Sequence, residues 1–187
     1  MNELVKRADN PFENVFLSEE QLQQRVNELG EAISKDYASI VSEENPLILI
    51  GVLKGVIPFF ADLMRAIHVP INIHFLDLNA YSNETREEQN MELHTNVSRA
   101  ITGRHVLFVE DIINAGLTLN HLTRVLYLYE PASMEICTMF DKQYRRIIDT
   151  DIKYIGFELK NEFLVGYGLD HDELYRNLPF VAEIKPL

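Results

Sequence analysis

Cysteine, positive charge and long apolar runs are all scarce in this chain, and each scarcity removes a class of protein. A single cysteine, Cys137, stands among 187 residues, so no internal disulfide can staple the fold. It lies inside the apolar run Met134 to Phe140 and reads as a core thiol. No stretch of about 18 apolar residues occurs, which leaves no candidate for a membrane-spanning helix. The opening residues Met1 to Arg7 contain no apolar signal core, and the expectation is a cytoplasmic protein. Lysine and arginine number 17 against 29 acidic residues, a net charge of −12 that argues against nucleic acid or an anionic membrane as partner. In such a chain a phosphate site has to be made locally, from helix amides, a few placed cations and a metal ion. What remains is an ordinary globular composition, 47% apolar and 25% charged, in a length that suits one domain.

The stretch from His105 to Thr118 organises the rest. Val106-Leu107-Phe108-Val109 is short, without alternation, and rich in β-branched and aromatic residues, as a strand buried on both faces would be. It runs into Glu110 and Asp111, then Ile112 and Ile113, then Asn114-Ala115-Gly116 and a helical pattern opening at Leu117-Thr118. A parallel strand that turns through glycine into a helix leaves its carboxyl end open to a crevice. The unpaired first amides of the helix, with the positive end of its dipole, favour an anion such as phosphate. The two acids cannot serve that phosphate, and suit hydroxyls or a magnesium ion beside it. The plainer alternative is a solvated turn.

Other segments supply the frame. Residues 1–17 are mixed in character and broken at Pro11, an arm on the surface. Ser18 with Gln21 forms a capping-box pattern, and Leu22, Val26, Leu29, Ile33 and Tyr37 recur at helical spacing, predicting a helix to about Val41. Leu47 to Leu53 is a second buried strand, turning through Lys54-Gly55 into a helix near Ile57–Ile67. Ile71 to Tyr81 alternates, as a strand covered on one face would. Residues 82–96 are polar and acid-rich, with the length and composition of a lid. Leu117 to Tyr129 is helical, stopped by Pro131; Met134 to Phe140 and Tyr154 to Glu158 are further strands. Lys142 and Arg146 stand just past the first of these, cations that fit either a solvated turn or a ligand crevice. The order of these elements predicts an α/β protein with a parallel central sheet flanked by helices.

Val109-Glu110-Asp111-Ile112-Ile113-x-x-Gly116-x-Thr118 resembles the phosphoribosyl-pyrophosphate motif of the type I phosphoribosyltransferases, and within them the hypoxanthine-guanine branch. Three further segments are similar to that family in the right order: Leu53-Lys54-Gly55, Asp141-Lys142, and Phe163 to Arg176. The resemblance spans about Ile48 to Leu178. It implies the type I phosphoribosyltransferase fold, with a core of about 18–150 and a small hood from about 151–187 and part of the N-terminal arm. It implies a cis peptide before Lys54 and a loop at Lys54 and Gly55 that contacts pyrophosphate. Ala115, Gly116, Leu117 and Thr118 would cradle the ribose phosphate, beside Glu110 and Asp111 on the ribose hydroxyls and Mg2+. Lys142 would donate to the exocyclic oxygen of a 6-oxopurine, Phe163 would stack on the base, and Leu164 would offer its carbonyl. Arg146 and Arg176 would contact pyrophosphate, and Asp170 would hold magnesium. Residues 82–96 would be the mobile loop, preceded by Ala80-Tyr81 where the family has Ser-Tyr.

The departures sit at the chemistry. Asn114-Ala115 stands where the family has Asp-Thr. That aspartate takes or shares the proton on purine N7; an asparagine accepts a hydrogen bond but not the proton. Three readings stay open: a working transferase making IMP or GMP from phosphoribosyl pyrophosphate, a weakly catalytic purine-nucleotide or phosphoribosyl-pyrophosphate sensor, and a transferase for another base. In each the partners are small molecules, and the family implies a homodimer or homotetramer.

Overall fold

The apolar runs without alternation become the central strands of a computed structural model, which describes residues 12–77 and 97–185. Five strands, β2 (Leu47–Leu53), β3 (Ile71–Asp77), β4 (His105–Ile113), β5 (Ser133–Asp141) and β6 (Tyr154–Glu158), form one parallel sheet in the order β3-β2-β4-β5-β6. Their side chains divide between two cores. Leu47, Leu49, Leu107, Val109, Cys137 and Met139 face one side; Ile48, Ile50, Val106, Phe108, Met134 and Ile136 face the other. Helices cover both faces, so in β2 and in β4 from Val106 to Val109 both sets of alternating positions are apolar. Helices α1 (Glu19–Tyr37) and α2 (Ile57–Ala66) pack on the first. A short helix, α3 (Ser98–Ile101), and α4 (Leu117–Tyr127) pack on the second.

Helix α1 starts as the capping box requires: Gln21 N donates to Ser18 Oγ at 3.3 Å and Ser18 N to Gln21 Oε1 at 2.9 Å. It ends at Tyr37 rather than Val41, because Ile40 is exposed and the chain turns there. Strand β4 runs four residues past Val109, because Ile112 and Ile113 keep pairing with Phe140 and Asp141 of β5. Residues 12–17, read as part of a surface arm, are a strand, β1 (Phe12–Leu17), antiparallel to β8 (Val181–Ile184), which pairs in turn with β7 (Leu164–Val165). This small sheet has its own core of Phe12, Val165, Leu178, Phe180 and Ala182 and is the hood. Tyr154–Glu158, placed in the hood by the sequence reading, pairs with β5 and belongs to the main sheet. No helix among the described residues is long and apolar enough to cross a membrane.

Candidate active site

The carboxyl ends of β2, β4 and β5 and the hood loop after β7 meet on one side of the sheet. At the centre, Asn114-Ala115-Gly116 joins β4 to α4. Gly116 caps the helix with φ 78°, a left-handed conformation that suits glycine. A Cβ there would stand 2.9 Å from Arg146 Cδ and 3.2 Å from the Ile148 carbonyl. The Ala115 carbonyl accepts from Ile147 N at 3.0 Å. The loop is thus held from beneath by residues 146–148. On its open side a cavity of about 240 Å³ is lined by Glu110, Ile112, Ile113, Asn114, Ala115, Gly116, Leu117, Thr118 and Leu119. That is the phosphate cradle expected of a glycine turn feeding a helix N-terminus.

Arg146 lies under this cradle, ion-paired with Asp141 in a buried contact. Burial pushes the Asp141 carboxyl above its ordinary range, and the Arg146 charge pulls against that shift. The Arg146 side chain passes beneath Gly116, and its guanidinium is held by Asp141.

Because β4 continues through the acids, Glu110 and Asp111 point to opposite faces of the sheet. Glu110 lines the phosphate cavity, and Asp111 turns toward the loop after β2. A Cβ on Gly55 would overlap Asp111 Oδ2 and lie 3.4 Å from Arg176 Nη1, so only glycine leaves that carboxylate its room. Burial raises both acids: Glu110 goes well above the usual carboxylate range, with the Asp111 charge adding to it. Asp111 is raised to about 6, burial being opposed by backbone amides and by Arg176.

An unfolded Asp111 releases its proton near 3.8, earlier than the folded one. Between there and about 6 the unfolded state binds fewer protons, and this group's contribution to stability falls as pH rises. Asp111→Asn is therefore expected to raise the melting temperature of the ligand-free protein. Its advantage over the original should widen as pH climbs through this window and level off above it. Thermal unfolding across that range checks this, and a gap that narrows with rising pH contradicts it.

The cationic pole is built from two elements far apart in sequence. The Leu53–Lys54 peptide is cis, as the resemblance implies. The hood packs directly on this loop: Gly168, at φ 98°, lies so close to the Gly55 carbonyl that a Cβ would overlap it. Arg176 Nη1 donates to Gly168 O at 2.8 Å, and Nη2 meets Asp170 Oδ1 at 2.8 Å. Glu173 bridges the pole, its carboxylate 2.9 Å from Lys54 Nζ and 3.2 Å from Arg176 Nη2. Those two cations hold its carboxyl below the usual range, Lys54 first.

Just past β5, Lys142 is buried and its ammonium donates to the Glu162 carbonyl at 2.7 Å. Burial, then the Arg145 charge, lowers its pKa. This contact sets the ammonium beside Phe163, whose ring is half exposed and meets His171 edge-on at 5.5 Å, and Leu164, buried in β7. An exposed aromatic face next to a desolvated donor suits a planar polar ring. Tyr81 and the 82–96 loop lie outside the described residues. Sequence reasoning missed the Asp141–Arg146 pair, Glu173 and the close approach of Gly168 to Gly55. The Gly-Tyr-Gly run at 166–168 was the one visible signal.

Hard carboxylate oxygens are the donors a divalent cation takes: Asp111 sets Oδ2 against Gly55, where a larger residue would displace it, and Asp170 is near enough to influence its titration. Among the described residues no three acidic, histidine or cysteine side chains gather into a cage, so such a cation would share ligation with substrate oxygens.

A parallel sheet whose strand ends join a phosphate cradle to a cationic pole defines a protein that handles a phosphorylated small molecule. Comparison with known proteins sharpens this. The family model for the phosphoribosyl transferase domain matches residues 18–172. Hypoxanthine-guanine phosphoribosyltransferases from Staphylococcus epidermidis and Lactococcus lactis are each 39% identical, over 93% and 98% of this chain and 94% and 97% of their own. A crystal structure of a Bacillus anthracis hypoxanthine-guanine phosphoribosyltransferase has TM-score 0.77 and 37% identity, covering 93% of this chain and 98% of that one. The Trypanosoma cruzi hypoxanthine phosphoribosyltransferase, in complex with the product IMP, gives 0.82 and 34%, covering 96% and 94%. The chain belongs to the phosphoribosyl transferase family, in its hypoxanthine-guanine branch.

Proposed function

We propose that this protein is a purine-salvage phosphoribosyltransferase. It transfers the phosphoribosyl group of phosphoribosyl pyrophosphate to hypoxanthine or guanine, giving IMP or GMP and pyrophosphate. The observation that carries this reading is that the strand ends bring together a phosphate cradle, a buried ammonium beside a half-exposed aromatic ring, and two cations from the loops after β2 and β7. Lys142 and Phe163 serve the base; Lys54, Asp111 and Arg176 serve the leaving group. A ribose phosphate seated in the cradle presents its anomeric carbon between them. A ring nitrogen of the base then attacks that carbon as the bond to pyrophosphate breaks and its electrons leave with the pyrophosphate. The proton of the imidazole ring passes to solvent, since Asn114 cannot take it.

On this reading Phe163 stacks on the base, Lys142 donates to its exocyclic oxygen, and Leu164 offers its carbonyl to the base edge. Glu110 accepts from the ribose hydroxyls, and the amides of Ala115, Gly116, Leu117 and Thr118 hold the ribose phosphate. Arg176 clamps the leaving group with a planar fork, and Lys54 and the Gly55 amide complete that pole. Mg2+, held by Asp111 and Asp170 with substrate oxygens, would neutralise charge on the departing pyrophosphate. Much of the acceleration then comes from placed donors and charges rather than from a base. The whole chain acts as one transferase domain in the cytoplasm, assembled as a homodimer or homotetramer.

Asn114 favours a second reading, a slow or inactive nucleotide sensor, because the residue beside the cradle cannot take a proton. Incubation with phosphoribosyl pyrophosphate, magnesium and a panel of purines separates the two. Nucleotide formed at ordinary enzyme rates, about 1 to 1,000 per second, supports the transferase. Tight GMP binding with no product supports the sensor.

A further inference from the structure

The cationic pole is already engaged by a side chain to which neither the reading above nor the family resemblance assigned a task. Glu173 sits in the hood loop between Asp170 and Arg176, and its amide donates to Asp170 Oδ2 at 3.0 Å. Its backbone, at φ 64°, follows Asp172 at φ 52°. One carboxylate oxygen is 2.9 Å from Lys54 Nζ, the other 3.2 Å from Arg176 Nη2. A single carboxylate thus spans two cations, Arg176 from its own loop and Lys54 from 119 residues earlier in the sequence. A diphosphate makes the same demand: two adjacent groups of anionic oxygens, each needing a cation.

We infer that Glu173 is a built-in competitor for the pyrophosphate end of the substrate, covering the pole when it is empty and helping to expel pyrophosphate as product. This rests on the assignment of Lys54 and Arg176 to pyrophosphate. The contact is suited to displacement rather than to a lock. Lys54 and Glu173 are about half exposed, and ion pairs of that kind are weak and screened. A diphosphate, with more charge and a magnesium ion, outcompetes one carboxylate, yet binds less tightly than to a bare pole because a fraction of the sites is covered. The cost at binding is matched by faster departure, which matters because product release limits many enzymes.

The test compares two neighbouring isosteric changes. Glu173→Gln removes the bridging charge. Asp172→Asn removes an equal charge one residue away, on a side chain that is 88% exposed and lies near His171. Magnesium pyrophosphate is titrated into each protein by calorimetry, and the KM for phosphoribosyl pyrophosphate and product inhibition by pyrophosphate are measured. Glu173→Gln is expected to bind pyrophosphate about three- to tenfold more tightly, as the loss of one or two exposed ion pairs allows. Product inhibition should strengthen by the same factor, and KM should fall. Asp172→Asn should shift binding less than about twofold, because it touches neither cation. Equal gains in both variants, or none in Glu173→Gln, overturn the inference while leaving the pole in place. Failure of the unchanged protein to bind pyrophosphate removes the pole and the inference together.

Discussion

Replacing Asn114 with aspartate raises turnover with hypoxanthine and guanine by about 10- to 100-fold, with little change in affinity for the nucleotide product. Asn114 is exposed at the rim of the phosphate cavity, and on the proposed reading it faces the base as that approaches the anomeric carbon. Its amide oxygen accepts a hydrogen bond from a protonated ring nitrogen but cannot remove the proton as the base attacks. General base help contributes about 100- to 10,000-fold where the base is well placed. A gain at or below the foot of that range is expected here, since the bracing by residues 146–148 was not built around a charge at this position. Being exposed, the new carboxylate stays hydrated and escapes the desolvation that raises Glu110 and Asp111. Steady-state kinetics supply the test. The kcat should rise and acquire a new acidic limb, while GMP affinity by calorimetry stays within a few-fold. An unchanged or lower kcat denies Asn114 its place at the reacting base.

The residues that were legible in the sequence are those whose partners are close by or whose burial is two-sided. Leu47–Leu53 announces itself because both faces of the sheet are covered and every position is apolar, and Met134–Phe140 does so nearly as clearly despite Glu135 and Thr138. The start of α1 is readable because Ser18 and Gln21 satisfy each other within four residues. Glu110, Asp111 and the turn to Thr118 stand together on one strand-turn-helix unit, although the strand continues through both acids to Ile113. What stayed hidden depends on distant pairing. Phe12–Leu17 carries no strand pattern of its own and becomes a strand because β8, at the other end of the chain, supplies its hydrogen bonds. The resemblance gives Arg146 a place on pyrophosphate, and only the fold reveals that a buried Asp141 five residues earlier holds its guanidinium. Glu173 is an exposed acid in an acidic chain, and nothing local distinguishes it from the other surface carboxylates.

Gly168→Ala should lower kcat/KM for phosphoribosyl pyrophosphate about 1,000-fold, a larger loss than removal of any single cation at the pole. Mutations that remove one preorganised donor typically cost about 100- to 1,000-fold, and this change disturbs several at once. Two faults coincide at Gly168. Its φ of 98° is a conformation that side-chain-bearing residues rarely adopt, and the added Cβ would overlap the Gly55 carbonyl and lie 3.2 Å from Pro58 Cδ. The overlapped atom is backbone, so no side chain can swing aside to relieve it. Moving Gly55 shifts Lys54 and the space kept beside Asp111; moving Gly168 instead carries away the carbonyl that holds Arg176. Either way the hood separates from the loop after β2 and the pyrophosphate pole opens. Lys142 stays tied to the Glu162 carbonyl, so GMP affinity should fall far less than phosphoribosyl-pyrophosphate affinity. Gly103→Ala is the control. Its φ of 69° is also left-handed, but nothing stands within 4 Å of the added Cβ. It should lose only about 1 to 2 kcal/mol of stability, with kcat/KM within about twofold of the original. Equal losses of activity in the two variants would mean that backbone conformation alone sets the effect, and that the hood does not need its contact with Gly55 to hold the leaving group.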